Sequence, residues 1–326
     1  MARELAAVEF VANPLQRAVD KVRNIGPRMA LRFLLYLLLI DLGFVYFLPM
    51  AFMVLTSFKS ALDMENPTVH WLPTGLYTPN YVFAWSQLQY GAALLRTVIL
   101  VGLAVVGQVI STAFAGYGFA RYGKTIRWVE ILFLLAILTF LIPDETIIVS
   151  EFLNFKELHW LNTTYPLWVP EFFAQGLRGA FFIFIFRQAF RALPWELEEA
   201  ARVDGAGAFG VFSRVMLPLV RPSIAVAFVF SVVWHWNDSF LPMNYLQQKF
   251  QLWPLSLLLQ QFQNNILSAT NSLSSNQAFQ NQSLLTASST GAIMAACVLV
   301  ILPPLIFYVL IQRTFVQGVE RTGLVE

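Results

Sequence analysis

The stretch RALPWELEEAARVDGAGAFGVFSRVMLPLVRPS, Arg191 to Ser223, separates two long apolar runs and is too patterned to be a plain connector. Pro194 suits the start of a helix, where its missing N–H would have no partner in any case. Glu196, Glu198 and Glu199 follow it, placing negative charge against the positive end of the helix dipole. Gly205 supplies a stop, because a glycine takes the left-handed cap without steric penalty. A second amphipathic helix, with Phe209, Phe212, Val215 and Met216 along one side, is expected to run to Leu217-Pro218. The segment therefore reads as a short helix, a glycine elbow and another short helix. A rigid protrusion with exposed apolar residues fits a docking site for a soluble partner; a helical hairpin packed against its neighbours is the alternative.

The rest of the chain sets this protrusion in a membrane. Of 326 residues, 57% are hydrophobic and 12% charged, against about 25% charged in soluble domains, and the mean hydropathy is +0.62. A bilayer core needs roughly 20 apolar residues as a helix. Six segments meet that length, near Leu31–Phe58, Ala92–Ala120, Trp128–Val149, Tyr165–Phe190, Ser223–Tyr245 and Thr290–Ile311. The fourth carries Glu171 and Arg178 in its first half, so its membrane part is expected to begin nearer Leu177. The N-terminus MARELAAVEF lacks a short apolar core with a small-residue cleavage site, and no cleaved signal peptide is expected.

Six crossings put both termini on one side, and the basic residues say which. That side holds 16 Lys and Arg and the other holds 5: Lys59, Arg96, Lys156, Arg178 and Lys249. By the positive-inside rule both termini are cytoplasmic. Residues 1–30 form a cytoplasmic N-terminal segment in which Leu15, Val19 and Val22 recur at helical spacing between Arg17, Lys21 and Arg23. This suits a helix lying on the inner leaflet, or a disordered basic tail. Residues 31–312 form the membrane domain, with a cytoplasmic loop at 191–222 and a long outer loop at 247–289; residues 313–326 form a cytoplasmic tail. The outer loop (QQFQNNILSATNSLSSNQAFQNQS) is almost free of charge and cannot bury a core by itself. It is either a flexible spacer or a surface that orders against a partner.

Two motifs point elsewhere and are set aside. GFARYGKT, Gly118 to Thr125, matches the phosphate-loop pattern. That loop needs a preceding strand and a following soluble helix, whereas here membrane-length apolar runs flank a tight inner loop. Arg121, Lys124 and Arg127 are instead expected to be positive-inside anchors. GAGAFG, Gly205 to Gly210, matches the dinucleotide pattern but follows a helix-forming stretch. His70, His159 and His235 lack ligand spacing and Cys297 is alone, so no metal site is expected. No triad or paired carboxylates can be defended, and the chain does not read as an enzyme.

The elbow resembles the signature of permease subunits of binding-protein-dependent ABC importers: Glu-Ala-Ala, three residues, Gly, nine residues, an aliphatic, one residue, Leu-Pro. Here these are Glu199, Ala200, Ala201, Gly205, Val215, Leu217 and Pro218. TSFK at Thr56–Lys59, the inner loop FARYGKT, IFRQAFRALPWELEEAARVDGAG, WND at Trp236–Asp238 and QRTFVQG at Gln312–Gly318 resemble the carbohydrate-type branch, that of maltose and multiple-sugar permeases. The resemblance covers roughly residues 31–320. It implies an all-α integral membrane fold, with six transmembrane helices in the type I importer permease (MetI-like) arrangement and a cytoplasmic coupling helix. It also implies a heteromeric complex in a prokaryotic cell membrane. A second homologous permease shares the path, two ABC ATPase subunits bind ATP and magnesium, and an extracytoplasmic binding protein delivers carbohydrate. No cofactor is then bound by this chain. Coupling to the ATPase would fall to Glu199, Ala200, Ala201, Asp204, Gly205, Ala206, Gly207, Phe209, Leu217 and Pro218. Importer permeases for a polyol, glycerophosphate or peptide share the same elbow; a secondary carrier gives no reason for it.

Two features depart from the family pattern. The tail reads VERTGLVE in place of a Gly- and Lys-containing end, and the 247–289 loop is longer than usual. The part around Gln261–Ser283 is expected to add to docking or substrate release. Charges inside spans need partners or water. Glu130 near the inner end of its span reads as structural, and Asp41 as a contact to the partner permease or to substrate. Trp234, Trp236, Asn237 and Asp238 combine ring faces with hydrogen-bonding groups in the span that the family uses to line the path, which suits sugar contact or packing at the permease interface. Phe181, Phe182, Phe184 and Phe186 read as packing or lipid-facing residues. Lys124→Ala separates these readings from an intrinsic nucleotide site: ATP hydrolysis by the assembled complex, measured by phosphate release, is expected to be unchanged, whereas a true phosphate loop would be dead.

Overall fold

The computed structural model describes the backbone of residues 2–123, 126–274 and 279–323. Side chains are described within that range except at 2–28, 30, 144, 176, 177, 270–288 and 313–323. Lys124, Thr125 and the tail sequence beyond Gly323 lie outside it, as do the basic side chains of the N-terminal segment.

Every regular element among the described residues is helical. In chain order they are α1 (Ala2–Ser57), α2 (Ala61–Glu65), α3 (Pro79–Gln87), α4 (Tyr90–Tyr122), α5 (Arg127–Thr139), α6 (Asp144–Glu157), α7 (Gly176–Arg191) and α8 (Glu196–Val203). There follow α9 (Ala208–Gly210), a π-helical turn over Val211–Met216, α10 (Leu217–Leu219), α11 (Arg221–Asn237), α12 (Phe240–Tyr245), α13 (Leu255–Ser274) and α14 (Phe279–Gly323). The N-terminal segment and the first span are one continuous helix, α1.

Three helical stretches are long and apolar enough to cross a membrane: Leu31–Ser57 of α1, all of α4, and Ser289–Gln312 of α14. The pair Ala208–Leu219 and Arg221–Asn237, bent by 80°, would make a fourth. Among the described residues, six unbroken spans are therefore not seen. The apolar run from Trp128 to Val149 breaks at Leu141–Pro143, leaving α5 with 13 residues, about 20 Å at 1.5 Å per residue and short of a bilayer core. Pro143 has no N–H to continue the helix and sits extended at φ −62°, ψ 143°. The run from Tyr165 to Phe190 opens with two 3₁₀ turns, Tyr165–Leu167 and Pro170–Phe173, each led by a proline. Its α-helix, α7, starts at Gly176, next to the Leu177 expected from the charges. The fifth run stops at Asn237, where Asp238 turns extended.

α4 is the axis on which the other helices converge. Its partners include α7, α11 and the 3₁₀ turn Pro170–Phe173, with α3, α5 and α13 touching it as well. Small residues make the closest approach: Ala113, Gly116 and Ala120 share one face of α4, against which Phe182, Phe186 and Phe190 of α7 are buried. In lipid such packing is driven by dispersion and backbone proximity, since the surroundings are as apolar as the side chains. Phe184, on the other side of α7, is 43% exposed. At the opposite end of α4, Tyr90, Ala93 and Val101 pack with Phe262 of α13, Trp236 of α11 and Ala292, Ala295 and Ala296 of α14.

Next to that end, the segment between α1 and α3 folds as a compact clasp. Lys59 is buried, its Nζ donating to the carbonyls of Val69 (3.3 Å) and His70 (2.9 Å). Asn80 Nδ2 donates to the carbonyls of Ser57 and Lys59. Asp63 accepts from the hydroxyl of Thr74, which holds its carboxyl below the usual carboxylate range. The Gln/Asn/Ser-rich outer loop is not simply irregular. Residues 255–274 are helical, and Leu255, Leu257 and Phe262 are buried. The polar count of that stretch concealed a helix-period apolar face.

The α4–α7 contact predicts a contrast between two glycines that the sequence pattern alone would treat alike. A Cβ on Gly116 would lie 2.5 Å from Phe186 Cβ and 3.0 Å from the Arg187 nitrogen, whereas a Cβ on Gly118 meets nothing within 4 Å. Gly116→Leu is expected to lower the melting temperature sharply or abolish folding in detergent. Gly118→Ala should be neutral or stabilising by up to about 1 kcal/mol; both are checked by thermal scanning of the purified protein.

Candidate functional site

The elbow begins with α8, which starts at Glu196, after Pro194 and with Trp195 at the cap position. It ends in a paired hydrogen-bond closure: Gly205 N donates to Arg202 O at 3.0 Å and Ala206 N donates to Ala201 O at 2.9 Å. This closure needs a left-handed residue between the two donors, and Gly205 provides it at φ +85°. Gly207 then caps α9 in an extended conformation. The chain runs through the π turn, whose Val211, Phe212 and Met216 are buried among α4 and α7 residues. Leu217 and Pro218 occupy α10, immediately before the 80° bend into α11. Pro218 and Pro222 each open a helix, which fits a sharp change of direction.

The outer side of this elbow is apolar and uncovered. Val203 is 88% exposed and Phe209 68%, on either side of Gly205, and Glu199, Ala200, Asp204 and Gly207 are exposed with them. Ala201 and Ala206 are half-buried, closing the elbow from beneath.

What anchors the elbow is a pair of charges that pattern reading passed over. Glu198 is fully buried, and its carboxylate lies 2.5 Å from Arg121 Nε at the end of α4. Arg121 is itself 3% exposed; its Nη1 donates to Leu193 O at 3.1 Å, and its guanidinium lies 4.9 Å from the Trp195 ring centroid. Arg202 adds a longer contact of 3.5 Å to the other Glu198 oxygen. Arg121 is thus no headgroup anchor: it is a buried clamp that fastens α8 to α4. The signal was present in the sequence as a Glu directly before the Glu-Ala-Ala triplet, but its partner lies 77 positions away. A similar pairing holds α5 to α7, where Arg187 Nη2 meets both Glu130 oxygens (2.5 and 2.6 Å) and its guanidinium lies over the Phe133 ring. Glu130 accordingly has the structural partner expected of it.

Midway along α4 a polar cluster joins three elements. Gln108 is fully buried; its Nε2 donates to Glu171 Oε2 and its Oε1 accepts from the Ser231 hydroxyl, both at 2.6 Å. Ser111 donates to the Glu171 carbonyl, and His235 Nε2 lies 3.7 Å from Glu171 Oε1. Glu171, which made the fourth run untidy, is therefore the group around which α4 and α11 meet.

The four aromatic and polar residues of α11 named as path candidates are engaged in structure. Trp236 is buried and donates from Nε1 to Val300 O of α14. Trp234 packs against Phe181, Phe182 and Phe230. Asn237 bonds its own helix at Val233 O, and Asp238 Oδ1 accepts the N–H groups of Phe240 and Leu241, with Arg178 3.6 Å from its other oxygen. Of the four, only Asn237 is exposed. Asp41 is exposed on α1.

Comparison with known proteins agrees with this architecture. Residues 33–321 match the family described as the binding-protein-dependent transport system inner membrane component. A lactose transport system permease protein of Rhizobium radiobacter is 31% identical over 221 residues, 67% of this chain and 71% of the relative. A diacetylchitobiose uptake system permease protein of Streptomyces coelicolor is 30% identical over 286 residues, 87% and 86% of the two chains. A chain from the crystal structure of a bacterial ABC transporter that imports the acidic polysaccharide alginate shares the fold, with a TM-score of 0.66 and 21% identity over 86% of this chain and 94% of that one.

The clamp makes a quantitative forecast. Removing one partner of a buried ion pair costs about 3–5 kcal/mol, while replacing both by apolar residues can be nearly neutral. Arg121→Met and Glu198→Leu are each expected to destabilise the protein strongly, and the double variant to be more stable than either single one in a thermal double-mutant cycle.

Proposed function

Because the chain belongs to the binding-protein-dependent transport system inner membrane component family, and is a permease of an ABC importer, we propose that it carries carbohydrate across a prokaryotic cell membrane. In this reading it pairs with a second permease around one path. Two ABC ATPases bind below with ATP and magnesium, and an extracytoplasmic binding protein delivers the sugar above. The termini face the cytoplasm, and α5 with the first turns of α6, α7, and α11 from the bent pair supply the three crossings beyond the three long helices.

The observation that carries the coupling assignment is the elbow itself. Glu199, Val203 and Phe209 stand exposed around Gly205, on a support that is rigid because Arg121 and Glu198 are buried beneath it. An apolar knob with an acidic shoulder suits a cleft in a soluble partner. Closure of the ATPase pair on ATP would push α8, and the clamp would pass that displacement directly to α4. Since α4 also holds Glu171 and Ser231 through Gln108, the same displacement would reach α11. Support for a sugar comes from the two permease relatives; the elbow is shared by importers of any solute and says nothing of the cargo.

Gly205→Val tests the coupling role. A β-branched residue at φ +85° costs on the order of 1–2 kcal/mol and would tilt the knob. In proteoliposomes containing the whole importer, uptake per ATP hydrolysed should fall severalfold while the complex still assembles. Normal uptake per ATP would remove Gly205 from the coupling path.

A further inference from the structure

At the end of the bundle opposite α8, α12 and the start of α13 enclose a cleft of about 310 Å³, at the small end of ligand pockets, which run roughly 300–1,000 Å³. Among the described residues, no charged side chain lines it. Its walls carry five carboxamides, Asn244, Gln247, Gln260, Gln261 and Asn264, with the ring of Phe250 at the edge. Phe250 is 63% exposed, and it meets Trp253 edge-on at 4.6 Å between centroids. Gln260 Oε1 is buried with no hydrogen-bond partner, and a buried unpaired carbonyl costs about 1–3 kcal/mol.

The cleft is built rather than incidental. Leu257, Gln260, Gln261 and Asn264 fall at i, i+3, i+4 and i+7, one stripe of α13. The opposite stripe, with Leu255 and Phe262, is buried in the core. Leu255 N donates to Thr97 Oγ1, Arg96 Nη2 donates to Trp253 O, and Trp253 Nε1 donates to Leu246 O. These bonds fix the cleft to the first two turns of α4. Gln260, Gln261 and Asn264 thus give one face of an ordered helix groups that both donate and accept.

We propose that this cleft is a binding subsite for a neutral saccharide, distinct from the α11 residues named above. Carboxamides match hydroxyl groups, which also donate and accept, and an exposed ring face suits the C–H face of a pyranose. The absence of any charged wall disfavours uronates and phosphates. A rotation of the Gln260 side chain would turn its unpartnered carbonyl, now buried, toward a sugar hydroxyl. The assignment rests on the carbohydrate reading of the importer and adds a station on the side of entry.

The test uses the assembled importer with Cys297→Ser and Asn264→Cys, labelled with a maleimide. Lactose and diacetylchitobiose are the probes, with digalacturonate as the charged control. Sugar-stimulated ATPase activity with the binding protein is measured on the same sample. Either neutral sugar should slow labelling while digalacturonate does not, and Gln260→Leu should raise the sugar concentration required about threefold to tenfold, the loss of one hydrogen bond. Phe250→Ala, at an exposed position where folding is not at stake, should weaken protection in the same direction. Labelling unaffected by both neutral sugars, equal protection by digalacturonate, or protection by sugar-free binding protein alone would each overturn the subsite. Loss of sugar-stimulated ATPase activity in the parent complex would instead count against the carbohydrate reading itself.

Discussion

A buried charge pair, Arg121 with Glu198, is the constraint on which the elbow of this molecule depends. Neither group reaches water, so neither is tolerable without the other. Their mutual need fixes where α8 can sit, and with it the elbow at Gly205. The exposed knob of Val203 and Phe209 is therefore rigidly mounted although it stands at the surface. A loop held only by apolar contacts at the membrane edge would yield under load; a short ion pair shielded by Trp195 resists lateral displacement.

From this clamp, α4 conveys position along the bundle. Its face of small residues lets α7 approach closely enough that one added methyl group would collide with backbone. Halfway along, Gln108 uses both ends of its amide, holding Glu171 on one side and Ser231 on the other. Polar groups this deep are retained where they fix the register between helices, since an unpaired amide in an apolar interior is costly. At the far end Thr97 and Arg96 bind the backbone around α13. One helix thus links the elbow, the mid-bundle polar cluster and the amide-lined cleft by direct bonds.

Proline and glycine placement explains why the molecule is less regular than its hydropathy. Pro143, Pro166 and Pro170 interrupt apolar runs that are otherwise long enough to span. The two turns before α7 bring Glu171 inward, so the irregularity has a function in placing a carboxylate that a straight helix would have left elsewhere. The Leu217-Pro218 step works similarly, turning the chain through 80° between the elbow and α11.

Much of this was legible from sequence, for a definable reason. Composition, three of the apolar runs, the elbow and its glycine stop depend on short-range rules: transfer of side chains into lipid, helix-end electrostatics, and the freedom of glycine at positive φ. Each can be read within one segment, and Gly205 at φ +85° follows from its neighbours alone. Tertiary structure decided what depends on partners distant in the chain. Arg121 reads as a surface anchor until Glu198, 77 residues later, is brought against it. His235 reads as stray until Glu171 lies beside it. The Gln/Asn run reads as a spacer or a docking surface until Leu255 and Phe262 find the core and leave Gln260, Gln261 and Asn264 along one cleft. Local rules set which backbone shapes are cheap. Only packing determines which buried charges and amides meet, because the cost of leaving them unpaired is settled across the whole fold.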